Sequence, residues 1–460
     1  MKIKLIAPHE QDENTISSAE TFKIQRVSLP LLAALTPEKH TVKIVDEAFV
    51  SDDRAESVDL VGITVMTDLA RRAYRIADAY RQRGVKVVMG GIHPTVLPGE
   101  ALKHADSVVV GEAETTWPEL VLDADAGRMK RIYGPGKTMG LKGLPHPRRD
   151  LYPESAARSY TPLAVGIETA RGCPYDCEFC SIGSVMGRHY CSRPVPEVIA
   201  EIASIPSPHL FFVDDALGLN RVEAKKLFTE MIPLQRKWGG QGPVSLAEDI
   251  ELLKLMKRSG CLGLLVGFES LQKGTQEGMK KTRNLKIDFS EAVRRFHGEG
   301  LAILGAFVFG FDHETKDVFD QTCEFALKNR LDAVELRILT PFPGTRLYTR
   351  LLKEGRLFVP GWWLQGYSPD TLLFQPRGMT PDELMEGFAR LNRELYSIGA
   401  VAKRFFGMSP LKRTAMGFSV YLGLNLATRK RYFKSLRNPQ PFRETPGSLN
   451  DQTTPLGRSA

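Results

Sequence analysis

Cysteine is scarce in this chain, with six in 460 residues. That scarcity excludes a disulfide scaffold. Long apolar runs are absent too. The longest, 301–311 and 416–427, fall well short of the roughly 18–20 residues that a membrane span needs. The opening Met1-Lys2-Ile3-Lys4-Leu5-Ile6-Ala7-Pro8 lacks the apolar length and the small-residue cleavage site of a secretory signal, which predicts a cytoplasmic protein with reduced thiols. No tandem repeat is visible. Acid is missing from one stretch only: residues 401–443 hold ten basic side chains and no Asp or Glu. The remainder is close to neutral, so the net charge of +8 belongs to that segment. A balanced body, with no module that interleaves basic and aromatic residues, argues against a nucleic-acid partner.

What remains is ordinary globular composition, 42% apolar and 25% charged. The length allows two to four domains at roughly 100–200 residues each. Short apolar runs at 3–7, 42–46, 60–64, 85–90 and 107–111 alternate with helical patterns at 27–35, 69–83 and 100–104. That alternation predicts a doubly wound, Rossmann-like parallel sheet over 1–134. In such sheets ligands bind beyond the carboxyl ends of the strands. Three loops there invite a bulky ligand: Thr64-Val65-Met66-Thr67-Asp68, Gly90-Gly91-Ile92-His93 and Gly111-Glu112. They read equally well as tight strand–helix turns. Turn formers crowd 135–159, which predicts a linker. Strands at 163–169, 210–213, 262–268, 302–309 and 333–339 then alternate with helices at 195–205, 221–236 and 288–299. This predicts a second α/β unit over 160–350, a full or partial barrel. A mainly helical region is expected over 351–437, with Thr380 and Glu383 forming a capping box. A disordered tail is expected over 438–460.

Three of the six cysteines fall within eight residues, Arg171-Gly172-Cys173-Pro174-Tyr175-Asp176-Cys177-Glu178-Phe179-Cys180, directly after a predicted strand. A tight cysteine group in a reducing compartment reads as a metal or redox site. Structural zinc wants four ligands, for which His189 and Cys191 are the nearest further candidates. An iron–sulfur cluster held by three thiolates leaves one iron open.

The C-x3-C-x2-C run resembles the cluster motif of radical S-adenosylmethionine (SAM) enzymes. The resemblance continues in order along the chain: Arg193-Pro194, Val213-Asp214-Asp215, Gly267-Phe268-Glu269-Ser270, Gly305 to Gly310 followed by Glu314, and Thr340-Pro341-Phe342-Pro343-Gly344-Thr345. The Gly-Gly-x-His loop and Gly111-Glu112-Ala113-Glu114 resemble the cobalamin-binding domain that precedes many of these enzymes. The chain as a whole is similar to the cobalamin-dependent group, which includes methylases and an oxidative porphyrin-ring cyclase.

The resemblance implies a [4Fe-4S] cluster on Cys173, Cys177 and Cys180, with SAM chelated by the open iron and reductively cleaved to a 5′-deoxyadenosyl radical. It implies SAM contacts from Phe179, Asp214, Asp215, Glu269, Ser270, Gly310 and Pro341, and cobalamin contacts from Thr64, Met66, Thr67, Gly90, Gly91, His93, Gly111 and Glu112. Reduced flavodoxin or ferredoxin is the implied electron donor. The implied reaction is methylation of an unactivated carbon of a small molecule or lipid. The alternatives are oxidative cyclisation or rearrangement with the same cofactors, and a non-catalytic cobalamin or redox sensor.

Several positions carry a plainer reading. Phe179 could shield the cluster, Asp214 and Asp215 could cap a helix, and Arg337 could be an outward ion-pair partner. Cys191, Cys261 and Cys323 read as packing residues. The Asp-x-His-x-x-Gly motif that supplies some cobalamin proteins with an axial histidine is absent from 1–150, so the loop 64–68 is expected beneath the cobalt, and His40, His93 and His104 as polar surface or turn residues. For 401–443, three roles are open: contact with the inner face of an anionic membrane, a lid over an apolar substrate, or a solvated helix.

Overall fold

A computed structural model describes residues 1–9, 24–135, 140–152, 164–366, 371–406 and 415–437. The expected tail 438–460 and parts of the expected linker lie outside these residues. The first seven strands are β1 (Lys2–Ala7), β2 (Ile24–Gln25), β3 (Thr41–Asp46), β4 (Leu60–Thr64), β5 (Lys86–Gly90), β6 (Ser107–Val109) and β7 (Ile132–Tyr133). All but β2 form one parallel sheet in the order β3-β1-β4-β5-β6-β7. Strand β4 is buried along nearly all its length, as expected of a strand covered on both faces, and β1 is buried from Ile3 on, with Lys4 inside paired to Asp52 at 3.2 Å and Glu56 at 2.8 Å. The helix Ala70–Gln82 covers one face with Ala70, Ala73, Tyr74, Ala77 and Tyr80, spaced three and four apart. Helices Ser28–Leu35 and Thr116–Asp125 cover the other. The first face is completed by Trp362, Trp363 and Leu373 from far along the chain. The Trp363 indole donates to Glu100 at 3.0 and 3.2 Å, and that of Trp362 to the Pro341 carbonyl at 3.1 Å.

The remaining strands are β8 (Ala164–Ile167), β9 (Ala170–Gly172), β10 (Tyr190–Ser192), β11 (His209–Phe212), β12 (Lys237–Pro243), β13 (Cys261–Glu269), β14 (Ala302–Phe309) and β15 (Ala333–Ile338). Six of them, with β2, form a parallel sheet in the order β15-β14-β13-β12-β11-β8-β2. Its edges are β15 and β2, so this is a partial barrel rather than a closed one. Strand β2 belongs to the N-terminal stretch of sequence yet pairs with β8, which ties the two units together. The short antiparallel pair β9–β10 stands apart and frames the cysteine loop.

The helix Pro381–Leu395 has the expected capping box from Thr380 and Glu383. The last helix, Ala415–Arg437, does not lie over the site as a lid. Asn425 Nδ2 donates to the Asp332 carbonyl at 3.0 Å, and Tyr421 packs on Ala302. Those contacts sit at the amino ends of β14 and β15, opposite the strand ends where ligands bind. One of the ten basic residues is not at the surface. Arg404 is fully buried, with its guanidinium donating to the carbonyls of Leu331 and Leu395 and to Asn425 Oδ1. No helix among the described residues is long and apolar enough to cross a membrane.

Candidate functional site

The cysteine loop begins at the end of β9. Gly172 has φ +83°, and a Cβ there would stand 2.1 Å from the His189 carbonyl oxygen on β10's approach. Only glycine lets the chain turn into Cys173. Cys173, Cys177 and Cys180 are half-buried and close enough for their charges to interact. Burial pushes all three thiols up, Cys177 to about 12, and the Lys281 ammonium opposes the rise at Cys173 and Cys177. Thiols held protonated in this way release protons when they ligate a metal.

Residues between the cysteines tether the loop from outside. Asp176 accepts from Arg346 at 2.8 and 3.0 Å, and from Arg188 at 2.7 Å. Glu178 accepts from Arg350 at 2.5 Å, and its carbonyl receives the Leu347 N–H at 3.1 Å. Arg346 and Arg350 lie on the helix Arg346–Lys353 that follows β15.

The paired aspartates after β11 turn inward. Asp214 is fully buried, and its two oxygens take the Thr169 N–H, at 2.6 Å, and the Thr169 hydroxyl. Burial raises its carboxyl to about 7. Asp215 accepts the Gly172 N–H at 2.8 Å. Both hold the strand that carries Cys173. Asp214, expected at SAM, thus also anchors the loop through Thr169.

Glu269 ends β13 at a register shift with φ +62°, a costly conformation for a side-chain-bearing residue. Its Oε1 accepts from Lys281 Nζ at 2.7 Å, and the same ammonium donates to the Gly267 carbonyl at 3.0 Å. A Cβ on Gly267 would lie 2.5 Å from Glu269 Oε1, so that glycine makes room for the pair. Ser270 follows Glu269 directly. It is buried, and its hydroxyl donates to Glu314 Oε1 at 2.7 Å. Glu314 also receives the N–H groups of Gly310 and Phe311 at 2.8 and 3.1 Å, and burial raises it to about 7. Ser270 thus fixes the turn after β14. Phe179 meets Phe311 edge-on at 5.5 Å. Pro341 lies in the turn after β15, where Gly344 comes against Val96 of the first unit and Ser184 donates to its carbonyl at 2.7 Å.

A cavity of about 270 Å³ opens at the carboxyl ends of the first sheet. Thr64, Gly90, Gly91, Gly111 and Glu112 line it, and Trp117 and Gly62 reach into its apolar depth. Gly91 has φ +101°, and a Cβ there would press on the Val65 backbone at 3.0 Å. The far wall comes from the second unit, through Glu168, Arg171 and Met186. Arg171 is the junction. Its guanidinium reaches Glu168 at 2.7 and 2.9 Å, Glu114 at 2.7 Å and Glu112 at 3.1 Å. One residue thus joins a wall of this cavity to the strand that leads into Cys173.

Three expected contacts are not among the residues lining the cavity. Met66 is largely exposed, and Thr67 is buried in a short 3-10 turn. His93 is fully buried and turned away, its Nε2 2.9 Å from the Tyr74 hydroxyl and 3.0 Å from Glu100. It is a packed polar residue beneath Trp363. Asp68, at the end of the same loop, lies within electrostatic reach of Arg26 and Arg337. Arg337 itself pairs with Glu335 at 2.7 Å.

The donor set separates the two metal readings. Among the described residues, no three His, Cys, Asp or Glu side chains converge on a point that one ion could occupy. Cys191 Sγ lies 3.9 Å from the Arg171 carbonyl. Three cysteines on one loop are the donor set of an iron–sulfur cluster with one open iron, whereas structural zinc takes four ligands.

Both units of the chain match known proteins. The B12 binding domain model matches residues 21–121, the Radical SAM superfamily model 167–326, and a domain of unknown function, DUF4070, 345–438. The bacteriochlorophyllide d C-12(1)-methyltransferase of Chlorobaculum tepidum is 30% identical, over 88% of this chain and 89% of that protein. The chain belongs to the cobalamin-dependent radical SAM family. An anaerobic magnesium-protoporphyrin IX monomethyl ester cyclase of Cereibacter sphaeroides is 26% identical, over 74% of this chain and 60% of its own length. Among solved structures, the radical SAM methyltransferase TsrM from Kitasatospora setae superposes with a TM-score of 0.67 at 17% identity, covering 95% of this chain and 98% of that one. Membership makes this an enzyme that uses a [4Fe-4S] cluster, SAM and cobalamin, and the residues fit all three: neighbouring thiols, a polar strand-end mouth and a glycine-lined apolar cavity.

Arg171, Lys281, Arg346 and Arg350 were not expected from the sequence. Only Arg171 had a signal, its place two residues before the first cysteine.

Proposed function

We propose that this protein methylates an unactivated carbon of a small molecule or lipid. Cys173, Cys177 and Cys180 hold the cluster. Glu269 and Lys281 set opposite charges side by side next to the thiols, which matches the amino and carboxylate groups of SAM. Phe179 and Phe311 keep water from that region, and Gly310 and Pro341 belong to the turns that close it. Thr64, Gly90, Gly91, Gly111 and Glu112 receive cobalamin. When bound, the cluster and SAM supply a hydrogen-abstracting carbon radical and cobalamin supplies a methyl group. The chain's own residues orient these groups and exclude water. Segments 1–134, 160–350 and 351–437 serve as cobalamin, radical and C-terminal units, with reduced flavodoxin or ferredoxin as electron donor.

The observation that supports a shared site is the Arg171 junction, where the cavity and the cysteine strand have a common wall. Similarity over nearly the full length of a methyltransferase favours methylation over cyclisation. The test is turnover with isotope-labelled SAM methyl. Label in the product supports methylation, and an unlabelled, oxidised product would replace it with cyclisation or rearrangement.

A further inference from the structure

The last helix is seated by one face and leaves another uncovered. Gly417, Tyr421, Asn425, Thr428 and Tyr432 are buried, with the Tyr421 hydroxyl donating to the Val401 carbonyl at 2.7 Å and that of Tyr432 to Ala389 at 2.6 Å. Phe418, Leu422 and Leu426 are 44%, 37% and 51% exposed. They follow one another at four-residue spacing, so they form a single row, and exposed Lys430 is its next member. The row is continuous with the preceding helix, Ile398–Phe405. Phe405 contacts both Phe418 and exposed Phe406, with ring centroids 5.3 and 5.4 Å apart. Exposed Lys403 lies on that helix. Apolar rows of this kind on a protein surface mark contact sites.

Charge identifies the partner. From 401 to 443 the sequence contains no Asp or Glu, while Lys403, Lys412, Arg413, Lys430, Arg431, Lys434 and Arg437 are among its bases. A second copy of this chain would bring like charge against like. Nucleic acid would satisfy the cations and leave the apolar row in water. An anionic bilayer surface satisfies both, taking apolar side chains below the headgroups and lysines among the phosphates. We propose that the row Phe418, Leu422, Leu426 and Lys430 docks the protein on an anionic membrane surface. The buried face of the same helix packs at the amino ends of β14 and β15 through Tyr421 and Asn425. Docking therefore leaves the cofactor mouth, at the opposite strand ends, open to water, and the surface acts as a tether rather than as a substrate gate.

The test is co-sedimentation of the full-length, cofactor-loaded protein with phosphatidylcholine vesicles, with and without about 30% phosphatidylglycerol. Binding is expected only with phosphatidylglycerol and should fall steeply at about 0.5 M salt. Leu422→Glu/Leu426→Glu should weaken binding about tenfold or more, with SAM cleavage and melting temperature unchanged because both residues are exposed. Lys430→Glu should weaken it by a smaller factor. The proposal is overturned if the wild-type protein ignores anionic vesicles, if it binds neutral ones as well, or if the double variant binds like wild type. It is also overturned if the double variant instead dissolves a dimer, which would make this face a self-interface.

Discussion

Replacing Arg171 with methionine should damage the cobalamin cavity and the cysteine loop together. The methionine fills much of the volume but leaves Glu112, Glu114 and Glu168, with side chains 13–20% exposed, facing one another without their shared cation. Removing one member of a fully buried ion pair costs about 3–5 kcal/mol, because the partner's charge is left uncompensated. Partial solvent access at these carboxylates trims that to about 2–4 kcal/mol. Unfolding entropy scales with the residues that melt together, so for a unit of a few hundred residues the loss corresponds to a Tm drop of roughly 3–6 °C. The 111–114 loop should loosen with it, so cobalamin retained after gel filtration should fall about fivefold or more, and iron content should fall in the same preparation. Arg171→Lys should rescue poorly, since a single ammonium cannot reproduce a fork that spans three carboxylates. Adding Glu114→Gln to Arg171→Met should recover part of the stability by removing one of the repelling charges. An Arg171→Met protein that keeps wild-type Tm, corrinoid absorbance and iron content would refute the junction.

Other perturbations read other parts of the site. Asp214 and Glu314 are each raised by burial to about 7, so the native state keeps protons that the unfolded chain gives up near pH 4. Their contribution to stability is full below about pH 4 and is lost as pH rises to about 7, at up to about 1.4 kcal/mol per pH unit for each group. Urea midpoints across this range should show a shallower fall in Asp214→Asn/Glu314→Gln than in wild type, and identical slopes would contradict the assignment. Gly172→Ala forces a side chain into the left-handed region at about 1–2 kcal/mol and drives a Cβ into the His189 carbonyl. Iron retention should collapse, and a variant that loads iron normally would show that the turn is not required. Cys177→Ala should lower iron from about four atoms per chain to near zero and abolish SAM cleavage, whereas retained iron would remove Cys177 from the ligand set.

The sequence reveals most clearly what is built locally. The three cysteines fall within eight residues, so their spacing alone exposes the cluster loop. The apolar strands of both sheets read correctly because their periodicity lies in their own side chains. Strand β12 escaped for the opposite reason. Its Trp238-Gly239-Gly240-Gln241-Gly242 run looks like a turn, yet those glycines sit inside a sheet. A Cβ on Gly240 would lie 3.0 Å from Phe212 Cβ, and one on Gly242 only 2.5 Å from Leu246 Cδ1. The residues are small because the neighbours are crowded, and neighbours are not visible in a local pattern.

Side-chain direction was hidden by the same kind of distance. A carboxylate at a strand end is correctly placed by sequence, but the tie of Asp214 to Thr169, 45 residues earlier, is not visible in a local pattern. His93 follows a glycine pair at the end of β5, where a cofactor contact is a reasonable expectation. The first turn of the helix Ile92–Val96 instead rotates its ring toward Tyr74, Glu100 and a tryptophan almost three hundred residues downstream. Lys281 and Arg350 had no local signal, because each gains meaning only from residues that the fold delivers: Glu269 and the thiols for one, Glu178 and Asp312 for the other. A motif therefore locates the backbone of this site. The long-range hydrogen bonds decide which of its side chains face a ligand and which hold the frame in place.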